Sequence, residues 1–290
     1  MRCLQSIESV PASDNGCYTL FHQRLHRIHL SYVPSHIPYE ANMKKYLKLL
    51  RVKHYMKNLL IFLPFIFSGQ FFQSHYLASA MIGFFAFSLL SSAIYIFNDI
   101  RDAESDRMHP TKKNRPIASG EVSKRAAYIT GACLLIGAAV LHCFTLALQW
   151  YAWLFLVVYF VLNLAYSIKL KNVPIVDVAV LVSGFVLRVF YGSALGGIEI
   201  SRWLYLTVIA MSFYLGLGKR RNELMRQGGD ASRGVLKFYT QNFLDKNMYM
   251  CLALTVAFYS LWAIDPVTIA RIKTENVIWT VPLVILICMS

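Results

Sequence analysis

Apolar residues along this chain fall into long runs separated by short, strongly basic stretches. Residues 59–97 carry no formal charge, which is enough for two membrane crossings at about 20 residues each. Further runs follow, and the pattern predicts transmembrane helices at 59–72, 77–97, 126–148, 151–168, 174–195, 203–217, 247–264 and 277–289. No run shows the period-two alternation of a strand. The expected fold is therefore all-α, a multi-span transmembrane bundle. Thirteen apolar residues at the end are short for a span, so the chain is expected to be cut within or just after one.

Composition agrees with the pattern. Of 290 residues, 57% are hydrophobic and 15% charged, and the mean hydropathy is +0.47. These values exclude an ordinary soluble enzyme. The net charge of +14 would suit nucleic acid, but its placement argues otherwise. Residues 101–125 and 219–246 hold seven Lys or Arg each, and Lys169 and Lys171 mark a third loop. The intervening loops have one or none. The positive-inside rule then puts the N-terminus and the three basic loops in the cytoplasm, with the protein in the cytoplasmic (inner) membrane. Topology explains the basic excess, and no nucleic acid is required.

Residues 1–42 lack the apolar core and cleavage site of a secretory signal and read as a poorly ordered tail. His22, His26, His29 and His36 fall there without a ligand cluster. From Met43 the chain, 43–290, reads as one transmembrane domain. It opens with a basic amphipathic stretch in which Lys44, Lys45 and Lys48 alternate with Tyr46, Leu47 and Leu49, suited to an anionic leaflet. Lys53 and Lys57, four residues apart, share a helical face before the first span. They serve either lipid phosphate or a substrate phosphate. The six cysteines show no ligand spacing and read as reduced bystanders.

The candidate chemistry begins where charge returns, at Asn98-Asp99-Ile100-Arg101-Asp102-Ala103-Glu104-Ser105-Asp106. On a continuous helix Asp99, Asp102 and Asp106 project from one face. Crowded carboxylates need a cation among them, and magnesium holding a diphosphate suits such a site because it takes few protein carboxylates. A solvated helix end is the commoner fate of such residues. The next loop contributes Lys113 and Arg115 as phosphate-binding candidates. Tyr166 and Lys171 precede Asp177 and Arg188, two ionisable residues inside an apolar run. Side chains of that kind face a partner or a wet cavity. They lie about 16 Å apart along the helix axis, so each needs its own partner. Gly184, Gly192, Gly196 and Gly197 suggest close helix packing or room for an acyl chain. A third basic stretch supplies Lys219, Arg220 and Glu223.

Together these residues carry a resemblance. The Asn-Asp-x-x-Asp-x-x-x-Asp pattern is similar to that of the UbiA superfamily of intramembrane prenyltransferases. Lys53 and Lys57, His109-Pro110 through Gly120, Tyr166-Ser167 with Lys171 and Asp177, Lys219-Arg220 with Glu223, and Phe243-Leu244-Asp245 resemble the branch that acts on polyprenyl phosphates. The resemblance covers 43–290. His54-Tyr55 stands where that branch usually has Gln-Trp, and the branch has nine helices against the eight runs here.

The resemblance implies magnesium-dependent transfer of 5-phosphoribose from phosphoribosyl pyrophosphate to a polyprenyl phosphate, a step of cell-wall biosynthesis. Asp99, Asp102 and Asp106 would hold the metal, with Asn98 orienting them. Lys53, Lys57, Lys113 and Arg115 would meet phosphate oxygens. Tyr166, Lys171 and Asp177 would position the ribose, with Arg188, Lys219, Arg220 and Glu223 completing the site. Two alternatives stand beside it: prenyl transfer from a polyprenyl diphosphate to an aromatic or other acceptor, and a transporter. Partners would be the two phosphorylated substrates and membrane lipid. Assembly as a homo-oligomer stays open.

Overall fold

The computed structural model describes residues 37–71, 73–145, 150–226 and 234–289. Contacts divide the chain into Met1–Lys44 and Lys45–Ser290, and the site lies in the second unit. Its described residues form α-helices and 3₁₀ segments without a strand. The helices are α1 (Ile37–Leu50), α2 (Leu63–Phe67), α3 (Ser74–Arg101), α4 (Ala103–Arg107), α5 (Lys124–Cys143), α6 (Ala152–Ile168), α7 (Val176–Gly196), α8 (Arg202–Arg226), α9 (Gln241–Ile264), α10 (Pro266–Ile272) and α11 (Val281–Met289).

Four of these, α3, α5, α7 and α9, are long and apolar enough to cross a membrane. Residues 266–289 pass the same test as a pair bent by 97°, and α6 is a shorter apolar helix. Side-chain oxygens set several starts. Ser123 accepts from the Ala126 amide and Thr240 from that of Phe243, each at 3.2 Å, satisfying amides that lack an intrahelical partner. Helix α3 is the central post, with 61% of its apolar window buried against 22% for α5 and α9. It packs on α5, α6 and α7, while α8 packs on α7 and α9. Phe87, Ile94, Tyr159, Tyr191 and Leu195 fill the core between α3, α6 and α7.

The first expected span departs from prediction. Residues Val52–Phe62 form a 3₁₀ helix, and only Leu63–Phe67 is α-helical. At three residues per turn, side chains three apart stack in rows. One row is Arg51, His54 and Lys57, which line a common cavity. A second is Tyr55, Asn58 and Ile61. Tyr55 Oη and Ser92 Oγ lie 2.9 Å apart, and Asn58 Nδ2 donates to Ser88 Oγ at 2.9 Å. Ile61 is fully buried against Gly192, where a Cβ would stand 2.0 Å from the Ile61 carbonyl oxygen. The third row, Lys53, Met56 and Leu59, faces outward. Tertiary contacts along two rows thus hold a pitch that local propensity does not favour. Arg51 begins the segment with a left-handed backbone, φ 53°, which is uncommon outside glycine. This pitch corrects the expected Lys53 and Lys57 pairing. Residues four apart diverge by about 120° on a 3₁₀ helix instead of about 40° on an α-helix.

Candidate phosphate-binding site

A cavity of about 290 Å³ opens where α3, α6, α7 and α8 meet the 3₁₀ segment and the loop after α4. All three basic stretches reach it, through Arg115, Lys171 and Lys219. Of the residues singled out in the sequence, it gathers Lys57, Asn98, Asp99, Asp102, Arg115, Tyr166, Lys171, Arg188 and Lys219.

The carboxylate stretch is not one helix. Helix α3 ends at Arg101, and Asp102 joins it to α4 with φ −88° and ψ 3°. The three carboxylates consequently separate. Asp99 Oδ1 accepts from Arg51 Nη2 at 2.6 Å and from Arg115 Nη1 at 2.9 Å. Arg115 Nη1 also donates to Asp106 Oδ2 at 2.6 Å. Asp102 turns the other way, 3.4 Å from Arg101 Nε and 3.8 Å from Lys171 Nζ. Guanidinium groups of this chain pair with Asp99 and Asp106, so cations do stand among the carboxylates. Among the described residues no three His, Cys, Asp or Glu side chains form a ready metal cluster. Asp106 is buried behind Arg115 and does not line the cavity, unlike Asp99 and Asp102. Two cavity-facing carboxylates still fit magnesium, which commonly takes one or two and completes its shell with phosphate and water.

Asn98 Oδ1 accepts a hydrogen bond from the Ser167 hydroxyl, tying the cavity ends of α3 and α6 together. Arg188 lies on the inner wall. Its Nε donates to Asn58 Oδ1 at 2.8 Å, its Nη2 to Tyr159 Oη at 2.9 Å, and its Nη1 to the Gly184 carbonyl. Its guanidinium also sits 4.9 Å from the Phe87 ring centre and 4.8 Å from that of Tyr159. These partners are all neutral, so a buried positive charge faces the cavity with its orientation fixed, and among the described residues no carboxylate pairs with it. Burial, and then the Arg188 guanidinium, lower the Lys57 ammonium from its usual range. Burial followed by Lys57, Arg51 and Lys219 likewise lowers the His54 imidazole, leaving it neutral at pH 7. A hollow that disfavours further positive charge is one an anion would relieve.

Asp177, expected to position substrate, is placed otherwise. It is fully buried, 2.5 Å from Arg220 Nε, and accepts the Tyr239 hydroxyl at 2.6 Å. Burial and then the Asp177 carboxylate push the Tyr239 phenol up to about 12, so it stays a donor at neutral pH. The same hydroxyl accepts the Ile175 amide at 2.7 Å, holding a turn where this β-branched residue has φ 67°. Arg220, also buried, pairs with Glu223 and donates to Tyr166 Oη at 3.0 Å. Arg220 thus links Asp177 and Glu223 to Tyr166, which lines the cavity. Lys53 and Lys113 are exposed and do not line it.

Several cavity residues are given no role from the sequence: Arg51, His54, Tyr95, Tyr159, Asn163 and Ser167. Asn163, the one amide side chain of apolar α6, was a legible signal.

A helical membrane bundle with a cation-rich cavity bounded by two carboxylates belongs with the intramembrane enzymes that handle phosphorylated lipids. Residues 60–290 match the UbiA prenyltransferase family, and the chain belongs to that family. It is 34% identical over 226 residues to the decaprenyl-phosphate phosphoribosyltransferase of Corynebacterium glutamicum, covering 76% of this chain and 67% of that one. The Mycobacterium tuberculosis protein of the same name is 34% identical over 228 residues, with 75% and 73% covered. A UbiA homologue from Archaeoglobus fulgidus, bound to GPP and Mg2+, superposes with a TM-score of 0.66 at 20% identity, covering 84% of each chain. That likeness is one of fold, and it fits an all-helical, multi-pass membrane protein.

Proposed function

We propose that the protein transfers 5-phosphoribose from phosphoribosyl pyrophosphate to a polyprenyl phosphate at the inner face of the cytoplasmic membrane, releasing pyrophosphate. One observation carries this reading: the cavity wall holds six Lys or Arg side chains and two carboxylates. Such a surplus suits two substrates that both bring phosphate, whereas prenyl transfer to an aromatic acceptor brings phosphate on one. The two relatives named for phosphoribosyl transfer support the same choice.

An oxygen of the lipid phosphate attacks the anomeric carbon. A carbon–oxygen bond forms there as the bond to pyrophosphate breaks, and pyrophosphate leaves with the bonding pair. The acceptor is already an anion, so no general base is required. Magnesium, held by Asp99 and Asp102, would supply charge neutralisation on the departing pyrophosphate. Arg188 and Lys57 would receive phosphate oxygens at the inner wall. Lys171 and Tyr166, the latter oriented by Arg220, would hold the ribose 5-phosphate side, with Lys219 on the opposite rim. Positioning and fixed positive charge would provide most of the acceleration.

The test is direct. Membranes containing the chain are incubated with phosphoribosyl pyrophosphate labelled in the ribose and with polyprenyl phosphate. The expected result is label in the lipid phase that depends on magnesium. No such transfer, together with prenylation of an aromatic acid from a polyprenyl diphosphate, would overturn the proposal in favour of the other UbiA chemistry.

A further inference from the structure

On the other side of Arg51 lies a second hollow, a groove of about 720 Å³ between the last turn of α1, the 3₁₀ segment and Pro116. Its walls are of two kinds. Leu47, Val52 and Met56 make an apolar strip, and all three are exposed. Lys48 and Lys53 carry positive charge along it. Arg51, His54, Asp99 and Arg115 line both this groove and the phosphate cavity. The partition is therefore made of the ion pairs that join Arg51 and Arg115 to Asp99. Arg51 is braced there by the Tyr95 ring, 4.8 Å from its guanidinium carbon.

We propose that this groove is the subsite of the lipid acceptor. The occupant is a polyprenyl monophosphate whose first isoprenoid units lie along Leu47, Val52 and Met56, with its phosphate against Arg51 and Arg115. The inference rests on the function proposed above, in which a lipid phosphate is the nucleophile. Three observations carry it. The groove is more than twice the volume of the cavity, too large for a phosphate alone. Its apolar strip and cations sit side by side, which matches an amphiphile with an anionic head. It also reaches the donor cavity through shared side chains, as substrates that must react require. Another apolar cleft, of about 430 Å³ between α7, α8 and α9, has room for a chain. No Lys or Arg lines it, and it shares no residue with the cavity, so it offers a phosphate nothing.

Lys53, which faces away from the cavity, acquires a place in this arrangement at the groove. Arg51 and Arg115 become residues of both substrates. A magnesium ion on Asp99 would take over the carboxylate that now pairs with them, and their guanidinium groups would then be available to the lipid phosphate.

The inference is tested on membranes containing the full chain, with a polyprenyl monophosphate bearing a diazirine on its first isoprenoid units. After irradiation, label is expected on the peptide spanning residues 47–56, and excess unlabelled polyprenyl phosphate should remove it. Competable label confined to the cleft between α8 and α9 overturns the proposal, whatever the transfer activity. Label on residues 47–56 in membranes that transfer no phosphoribose upholds the groove and rejects the reaction. A second measurement uses Met56→Gln, at a side chain 70% exposed and so tolerant of replacement. The acceptor KM should rise about tenfold while donor affinity changes less than twofold, the loss of one apolar contact. An unchanged acceptor KM overturns the proposal.

Discussion

Arg220 and Asp177 form an ion pair at 2.5 Å in which neither side chain is exposed at all. A buried charge stripped of its partner is costly, commonly by about 3–5 kcal/mol. Asp177→Leu should therefore destabilise the protein by about that amount, read as a lowered unfolding midpoint in detergent. Asp177→Asn, which retains an acceptor for Tyr239, should lose less. Tyr166 depends on Arg220 for its orientation, so both variants should also lose transfer activity, in proportion to that disorder. A normal midpoint with lost activity would show instead that Asp177 touches substrate.

The two aspartates that share Arg115 should behave differently. Asp99 faces the cavity and Asp106 does not. Asp99→Asn should lower transfer by about 100-fold or more, the scale on which a preorganised electrostatic contact is lost, and should raise the magnesium concentration for half-maximal activity. Asp106→Asn should lower activity through a misplaced Arg115 while leaving that concentration nearly unchanged. A titration of magnesium against rate in both variants checks this.

His54 gives a pH signature. Its folded pKa lies below the ordinary 6.5, so between the two values the unfolded chain binds the extra proton. This residue therefore subtracts stability as pH falls below about 6.5. A bound phosphate supplies the opposite charge and raises the pKa again. Donor binding at about pH 6 should then take up a fraction of a proton. Calorimetry in buffers of different ionisation enthalpy measures the net exchange, to which the donor's own phosphate contributes near this pH, and His54→Gln should lower the uptake relative to the unaltered protein.

Gly192 tests the 3₁₀ segment. A methyl group there meets the Ile61 carbonyl oxygen at 2.0 Å, and backbone cannot step aside cheaply. Gly192→Ala should cost about 1–3 kcal/mol, and it should impair donor binding as well, because the displaced segment carries Arg51, His54 and Lys57. Unaltered stability would mean that the helices part there without strain.

Much of this was legible in the chain itself. The uncharged runs announced a membrane bundle, and the abrupt carboxylates together with three basic loops pointed to phosphate chemistry. The α-period misled at Lys53 and Lys57, because the pitch of 52–62 is set by Ser88, Ser92 and Gly192, which are distant in sequence. It misled again at Asp102, where the helix breaks and the aspartates part. Nothing local sets Arg51 apart from the lysines around it. Its role depends on Asp99, 48 residues away, and no local pattern reports such a distance. Asp177 was rightly suspected of needing a partner, but only packing identifies Arg220 as that partner.

The threefold row along the 3₁₀ segment has a mechanical consequence. Arg51, His54 and Lys57 rise in steps of about 6 Å along one edge, so two cations with a neutral imidazole between them form a rail running inward toward Arg188. Were the same residues to rewind to an α-helix, each step would swing about 60° and the rail would fan apart. Affinity for an anion and the winding of this segment are therefore coupled, and a ligand that engages the whole row tightens the very coil that presents it.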